Sequence, residues 1–441
     1  MLSRTLAATA ATWGLGLAIA FARGADRPVP AARVTARADL VTTAEAPVQT
    51  TRDVEGRLFL DFGRATFGWL RLEFPGPAAA AEISVRLGEK RAGPATVDMA
   101  PGASIASQEV AVVVPAGATS VDVVPTWAPM YANWIPCPAG EHEVAPFRYV
   151  EIRGLPAGAA APRGVRMSRH VPFDDEAAAF SCSDPALVEV WDLCKHSIKA
   201  TSFLGLYVDG NRERIPYEAD AYLNQLCHYG VDAHYETGRL TYEHLLEHPT
   251  WPTEWRQHLP LMALADWLYS GDDAALDRTY ERLRASLMLD RRRPDGLFLG
   301  QAKGTPRDIV DWPACERDGY EMQHDVKTVT SAFHAASLEA MARIARATGR
   351  AAEAGEFQAL RDATGRAMRE KLFDERRGRY VDGLDPATGR PGEHASLHAT
   401  MLPLAFGLVP PADVPRAAEF VAGRGMACSV YGAQYLLDGL F

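Results

Sequence analysis

Residues 183–200 read SDPALVEVWDLCKHSIKA. Asp184 carries a short acceptor side chain suited to the free amides of a helix start, and Pro185 has no amide to leave unpaired, so together they mark a helix N-terminus. Leu187, Val190, Trp191, Cys194 and Ile198 then recur every three or four residues and form one apolar stripe. Upstream the period is different. LFLDFG (58–63), FGWLRLEF (67–74), EISVRLGE (82–89), QEVAVVV (108–114), SVDVVPT (120–126) and FRYVEIRG (147–154) alternate apolar and polar residues between Gly and Pro. That alternation, with a turn about every ten residues, is the pattern of an antiparallel sandwich. The stretch therefore marks a switch from a β-sandwich domain at 51–170 to a helical domain at 171–441.

Further helical segments are expected at 218–235, 238–247, 256–270, 273–288, 326–348, 351–374, 394–406, 413–423 and 429–440. VTSAFHAASLEAMARIARATG stops on Gly349, a standard C-terminal signal. Alternating short and long loops between such helices suggest hairpins closing into an α/α toroid. The fold class is thus multidomain β + α: an antiparallel β-sandwich, then an (α/α)6 toroid. Twelve helices make six hairpins, whereas about ten are legible, and YGAQYLLDGLF (431–441) ends within a helical pattern. The expectation is a toroid incomplete at its C-terminus.

Composition bounds the function. In 441 residues, 47% are apolar and 23% charged, an ordinary globular balance. A formal charge of -10 argues against nucleic acid or an anionic membrane surface as partner. Residues 1–25 carry one early arginine, an uncharged apolar run from Leu6 to Ala22, and small residues after it. This is the layout of a cleaved secretory signal, implying export to the periplasm or medium and no membrane attachment after cleavage. Residues 26–50 read as a linker. Six scattered cysteines form no CxxC or Cys/His cluster, so neither metal nor cofactor is called for; disulfides of unreadable connectivity and mostly buried free thiols both stay open.

The chemistry concentrates in YVDGNRERIPYEADAY (207–222), where Asp209, Glu213, Glu218 and Asp220 crowd with Arg212 and Arg214 among aromatics. Glu213 reads as a loop residue near a helix N-terminus. Carboxyls sharing a cavity raise one another's pKa, as a general acid needs, whereas an arginine paired with Glu213 opposes this. Spacing alone leaves that direction open. Trp251, Glu254 and Trp255 in TWPTEW (250–255), and Asp311 with Trp312 in DIVDWP (308–313), are candidate walls of a sugar pocket. Indole faces stack on sugar rings, and carboxylates accept hydroxyl protons. His398 in SLHAT (396–400) sits on an apolar helix and reads as a satisfied structural histidine or, second, as a substrate contact. PTWAPMYANW (125–134), with Trp127, Tyr131 and Trp134, reads as a domain-interface plug or a carbohydrate-contacting loop.

DGNRERIPYEAD (209–220), followed by TWPTEW, DIVDWP, SLHATMLPLAFGLVP (396–410) and YGAQYLLDGLF, resembles the catalytic domain of the α-L-rhamnosidases, glycoside hydrolase family 78. Residues 58–154 resemble the sandwich that precedes it, so the similarity covers about 55–441. The resemblance implies an inverting glycosidase that releases terminal α-L-rhamnose from a rhamnose-containing glycoside or polysaccharide. It implies Glu213 as general acid, with Asp209, Arg212 and Asp220 on the sugar and Tyr217 as an aromatic wall; Trp255, Asp311, Trp312 and His398 stay substrate candidates on the residue reading alone. Tyr217 stands where tryptophan is common and Ala219 where glycine is usual, departures that leave the exact sugar open. The family's general base is a glutamate downstream of the segment matching 431–441. Neither Glu393 nor Glu419 has its surroundings, so the chain is expected to lack the base. Two other readings stay open: a six-hairpin glycosidase for another sugar, or a carbohydrate-binding protein without turnover.

Overall fold

The computed structural model describes residues 34–54, 56–102, 104–129, 133–156, 158–300 and 307–441. The leader read at 1–25 and Tyr131 lie outside the described residues. Ten strands form one antiparallel region: β1 (Val41–Glu45), β2 (Gln49–Arg52), β3 (Leu58–Glu73), β4 (Ala81–Gly88), β5 (Arg91–Gly93), β6 (Thr96–Val97), β7 (Ser107–Val114), β8 (Ser120–Val123), β9 (Ala145–Arg153) and β10 (Arg163–His170). All but the short β5–β6 ribbon join in one sheet, ordered β1-β10-β3-β9-β4-β7, with β2 and β8 also on β3.

The 16-residue β3 explains how one sheet makes two layers. Its first half pairs with β2 and β9, and its second half with β8 and β10. The register slips between Asp61 and Thr66, where Gly63 takes φ 80°. Such a break bends a strand and increases its twist. Leu58, Leu60 and Phe62 from the first half then share a core with Leu70 and Leu72 from the second. Gly164 on β10 lets the layers close, because a Cβ there would fall 2.2 Å from Leu60 Cδ1.

The linker expected at 26–50 is corrected at its end. Residues 41–45 and 49–52 are strands β1 and β2, paired with β10 and β3. Their side chains are nearly all exposed, so as edge strands they carry no alternation to read.

The helices are α1 (Pro185–Thr201), the single turn α2 (Gly210–Glu213), α3 (Glu218–Tyr229), α4 (Glu236–Glu247), α5 (Leu259–Ser270), α6 (Asp273–Ser286), α7 (Thr328–Ala347), α8 (Ala351–Leu372), α9 (Leu397–Ala405), α10 (Val414–Arg424) and α11 (Val430–Leu440). Asp184 caps α1 by accepting from the Ala186 amide, with Pro185 at its first position. The α1 stripe faces the core only in part: Ile198 is buried, while Leu187 and Val190 are exposed. α3, α5, α7, α9 and α11 each touch the next, and α11 touches α3, giving an inner ring flanked by the remaining helices. α7 is its most enclosed member, with Phe333, Leu338, Met341 and Ile344 fully buried. Each such side chain contributes about 1.5–3 kcal/mol by leaving water. Short loops join α3 to α4, α5 to α6 and α7 to α8. Longer segments precede α3, α5, α7 and α9, and those before α3, α5 and α7 build the site together with the start of α11.

All six cysteines are free thiols. Only Cys428 is buried and four are exposed, which corrects the buried-thiol reading.

Candidate active site

A cavity of about 470 Å³ opens at the N-terminal ends of α3 and α11, lined by Asp209, Arg212, Glu213, Tyr217 and Asp220 on one side. Trp251, Trp255, Ile309, Asp311, Trp312 and the start of α11 complete it. The acidic turn is held by its own backbone: Asp209 N–H donates to Ile215 O at 2.8 Å, and Arg214 N–H to Asp209 O at 3.2 Å. Glu213 ends α2 rather than sitting in open loop, and it is buried.

Its two oxygens are engaged separately. Arg212 donates to Oε1 at 2.6 Å, and the Tyr217 hydroxyl donates to Oε2 at 2.7 Å. Arg212 also lies 3.6 Å from Asp209. Spacing could not tell the two arginines apart; geometry does, since Arg214 turns away from the cavity to Glu143.

Burial and then the charge of Glu213 raise the Asp209 pKa. Burial, then the charges of Asp209 and Glu213, push Asp220 up to about 7. An unfolded aspartate releases its proton near pH 4. The proton retained by folded Asp220 thus favours the folded state fully below that pH, and this contribution is lost as pH rises through about 7. Asp220→Asn is expected to flatten the fall in stability between pH 5 and pH 8, measured by urea unfolding. An unchanged slope would assign the titration to the other raised carboxyls, Asp209, Glu218 and Glu254.

The opposite wall is set by buried groups. Glu218, fully buried at the start of α3, accepts from the Thr250 amide at 2.8 Å and so seats the 250–255 segment beside the acidic turn. Trp255 is buried, its ring edge-on to Tyr217 at 5.6 Å. Trp312 is 64% exposed, so it stands at the mouth and plugs no core.

Glu254 does not line the cavity as the sequence suggested. It is fully buried, and its Oε1 accepts from Ile309 N at 2.7 Å and Val310 N at 2.5 Å. Val310 has φ 62°, a strained value for a β-branched residue, and the Glu254 carboxylate holds it there. The next residues are Asp311 and Trp312.

Asp311 reaches the cavity but has both oxygens committed. Oδ2 accepts from His398 Nε2 at 2.8 Å and Ser429 N at 3.0 Å, and Oδ1 from Trp312 N at 2.7 Å and the Ser429 hydroxyl. Gly432 makes room for it, since a Cβ there would lie 2.8 Å from Oδ2. His398 is buried and does not line the cavity, which corrects its reading as a sugar contact: it acts on Asp311. His258, which the sequence reading passed over, is buried beneath the wall and bonds the Tyr435 hydroxyl at 2.9 Å.

An inner ring of helices with an acidic, indole-walled cavity at its N-terminal rim defines a toroid of the six-hairpin glycosidase type. The chain belongs to the bacterial alpha-L-rhamnosidase six-hairpin glycosidase domain family, whose model matches residues 175–440. Among solved structures, a family 78 rhamnosidase of Bacillus sp. GL1 superposes with TM-score 0.68 at 18% identity, over 89% of this chain and 40% of its own. The α-L-rhamnosidase of Dictyoglumus thermophilum gives 0.67 at 18%, over 93% and 45%. A Klebsiella oxytoca rhamnosidase with rhamnose bound gives 0.64 at 15%, over 92% and 85%. At these identities the likeness is one of fold, and the chain spans less than half the length of the first two. No curated protein matched the chain.

Proposed function

We propose that this cavity takes the terminal L-rhamnose of a rhamnose-containing glycoside, with Glu213 as the proton donor of an inverting hydrolysis. The observation that carries the reading is Glu213 itself, oriented by Arg212 and Tyr217 with Asp209 and Asp220 in the same cavity. Trp251 and Trp312, both exposed at the mouth, offer faces for a sugar ring.

Inversion also needs a carboxylate to activate water, about 6.5–9.5 Å from the acid. Among the described residues lining the cavity, Asp311 is committed to His398 and Ser429, and Asp209 and Asp220 sit beside the acid itself, on its own turn and on the first turn of α3. We infer that the chain supplies the acid without a base. Purified chain should bind L-rhamnose by calorimetry yet hydrolyse an aryl α-L-rhamnoside about 10²–10⁴-fold below a complete acid–base pair. Rapid turnover abolished by Glu213→Gln would refute the missing base, and binding of a different sugar from a panel of aryl glycosides would refute the substrate.

A second assignment has its own support: Asp220, held near 7, is also poised to donate a proton. Residual turnover that survives Glu213→Gln and vanishes in Asp220→Asn would favour it. Export is proposed on the leader read at 1–25. No helix among the described residues is long and apolar enough to cross a membrane.

A further inference from the structure

The connection between β8 and β9 runs from 124 to 144, long for such a loop, and long connections are usually functional. It leaves the sandwich and packs on the acid-bearing turn. Trp127 Nε1 donates to Asn211 O at 2.6 Å, and Ile135 N–H donates to Arg214 O at 2.8 Å. Both acceptors flank Glu213.

Arg214 is where these contacts converge. Its side chain is completely buried although its backbone sits at φ 53°, a left-handed conformation that a non-glycine residue keeps only when its surroundings impose it. The guanidinium donates to Glu143 Oε1 at 2.8 Å, Val144 O at 2.9 Å and Asn211 Oδ1 at 3.2 Å. It also lies over the Trp127 ring, 4.2 Å from its centroid. A planar fork with several fixed donors stacked on an indole suits arginine and not lysine. Beneath it the domains are fused by apolar packing: Phe67 of β3 stacks on Phe203 at 3.7 Å, within a cluster holding Ile135, Val144, Leu206 and Val208.

We propose that the sandwich domain is a positioning element for Glu213, acting through a clamp in which Trp127 and Glu143 fix Arg214 and thereby the 209–214 turn. Neither Trp127 nor Arg214 touches the reacting atoms in this scheme. The Glu213 side chain is aimed because the residue after it is immobilised from the other domain. The proposal rests on reading the cavity as the sugar site, and its test separates the two.

The experiment compares the full chain with Trp127→Ala, Trp127→Phe and Glu143→Gln by amide hydrogen exchange and by L-rhamnose calorimetry. Trp127→Ala should speed exchange at Asp209 and Arg214 by about tenfold and weaken L-rhamnose by a similar factor, while α7 keeps wild-type exchange. Trp127→Phe, which keeps a ring under the guanidinium, should restore affinity to within about threefold. Glu143→Gln should fall between, keeping an acceptor while losing the charge. Wild-type exchange at 209–214 in both Trp127→Ala and Glu143→Gln overturns the clamp, as does acceleration spread equally through α7. If the turn loosens selectively but wild-type protein binds no L-rhamnose, the clamp stands and the sugar assignment falls.

Discussion

Asp311→Ala is expected to lose about 3–5 kcal/mol of stability, read as a lowered urea midpoint with unchanged slope. Four donors converge on this one buried carboxylate, from His398, Trp312 and, twice, Ser429. Truncation leaves His398 Nε2 and two backbone amides without acceptors, and each buried orphan costs about 1–3 kcal/mol. The partners lie on three elements, α9, the 307–312 segment and the start of α11, so the loss unpins the wall of the cavity as well as its stability. L-rhamnose binding should disappear with it. Asp311→Asn keeps one acceptor oxygen but sets an amide against the remaining donors, so it should recover only part of the loss. A change below about 1 kcal/mol in the alanine variant would mean the network is a surface arrangement, contrary to its burial.

That network also shows where sequence reading stops. Asp311 was legible as a pocket residue because it stands beside a tryptophan in a Pro-bounded loop. Its commitment was not, since His398 and Ser429 are 87 and 118 residues away in the chain. His398 was open between a structural histidine and a ligand for the same reason: an apolar helix predicts its burial but not its partner. Glu254 and Arg214 present the same difficulty. Both belong to charged motifs read as pocket-facing, and both turn inward to hold loops, Glu254 the Ile309–Val310 amides and Arg214 the sandwich. By contrast, the start of α1 was legible at 183–200, because Asp184, Pro185 and the following periodicity are local signals. Strand alternation located β3, β4, β7, β8 and β9 through their apolar faces. Edge strands β1 and β2 have no such face and passed for linker. Local period is encoded within a window of residues; which side of a loop a charge occupies is decided by distant elements.

Lys327→Met is expected to cost a further about 3–5 kcal/mol, and more at pH 8 than at pH 5. Lys327 and Asp308 form an ion pair at 3.0 Å with both side chains completely buried. Methionine matches the stem of lysine in length, so the loss is electrostatic and leaves no large cavity. The pair does more than satisfy itself. Asp308 lies close enough to Glu254 that its charge, after burial, raises the Glu254 pKa. Without the ammonium, two buried carboxylates face each other, and one of them must keep a proton to remain inside. An unfolded carboxyl releases its proton near pH 4, so a folded state that retains one loses stability as pH rises above that value. Urea unfolding across pH 5–8 should therefore show a steeper decline in the variant than in wild type. Adding Asp308→Leu should return most of the stability and the wild-type slope, because replacing both partners of a buried pair costs far less than removing one. If the double variant stayed as unstable as Lys327→Met, the ammonium would be holding the His324 carbonyl, to which it also donates, rather than balancing the carboxylates behind the cavity wall.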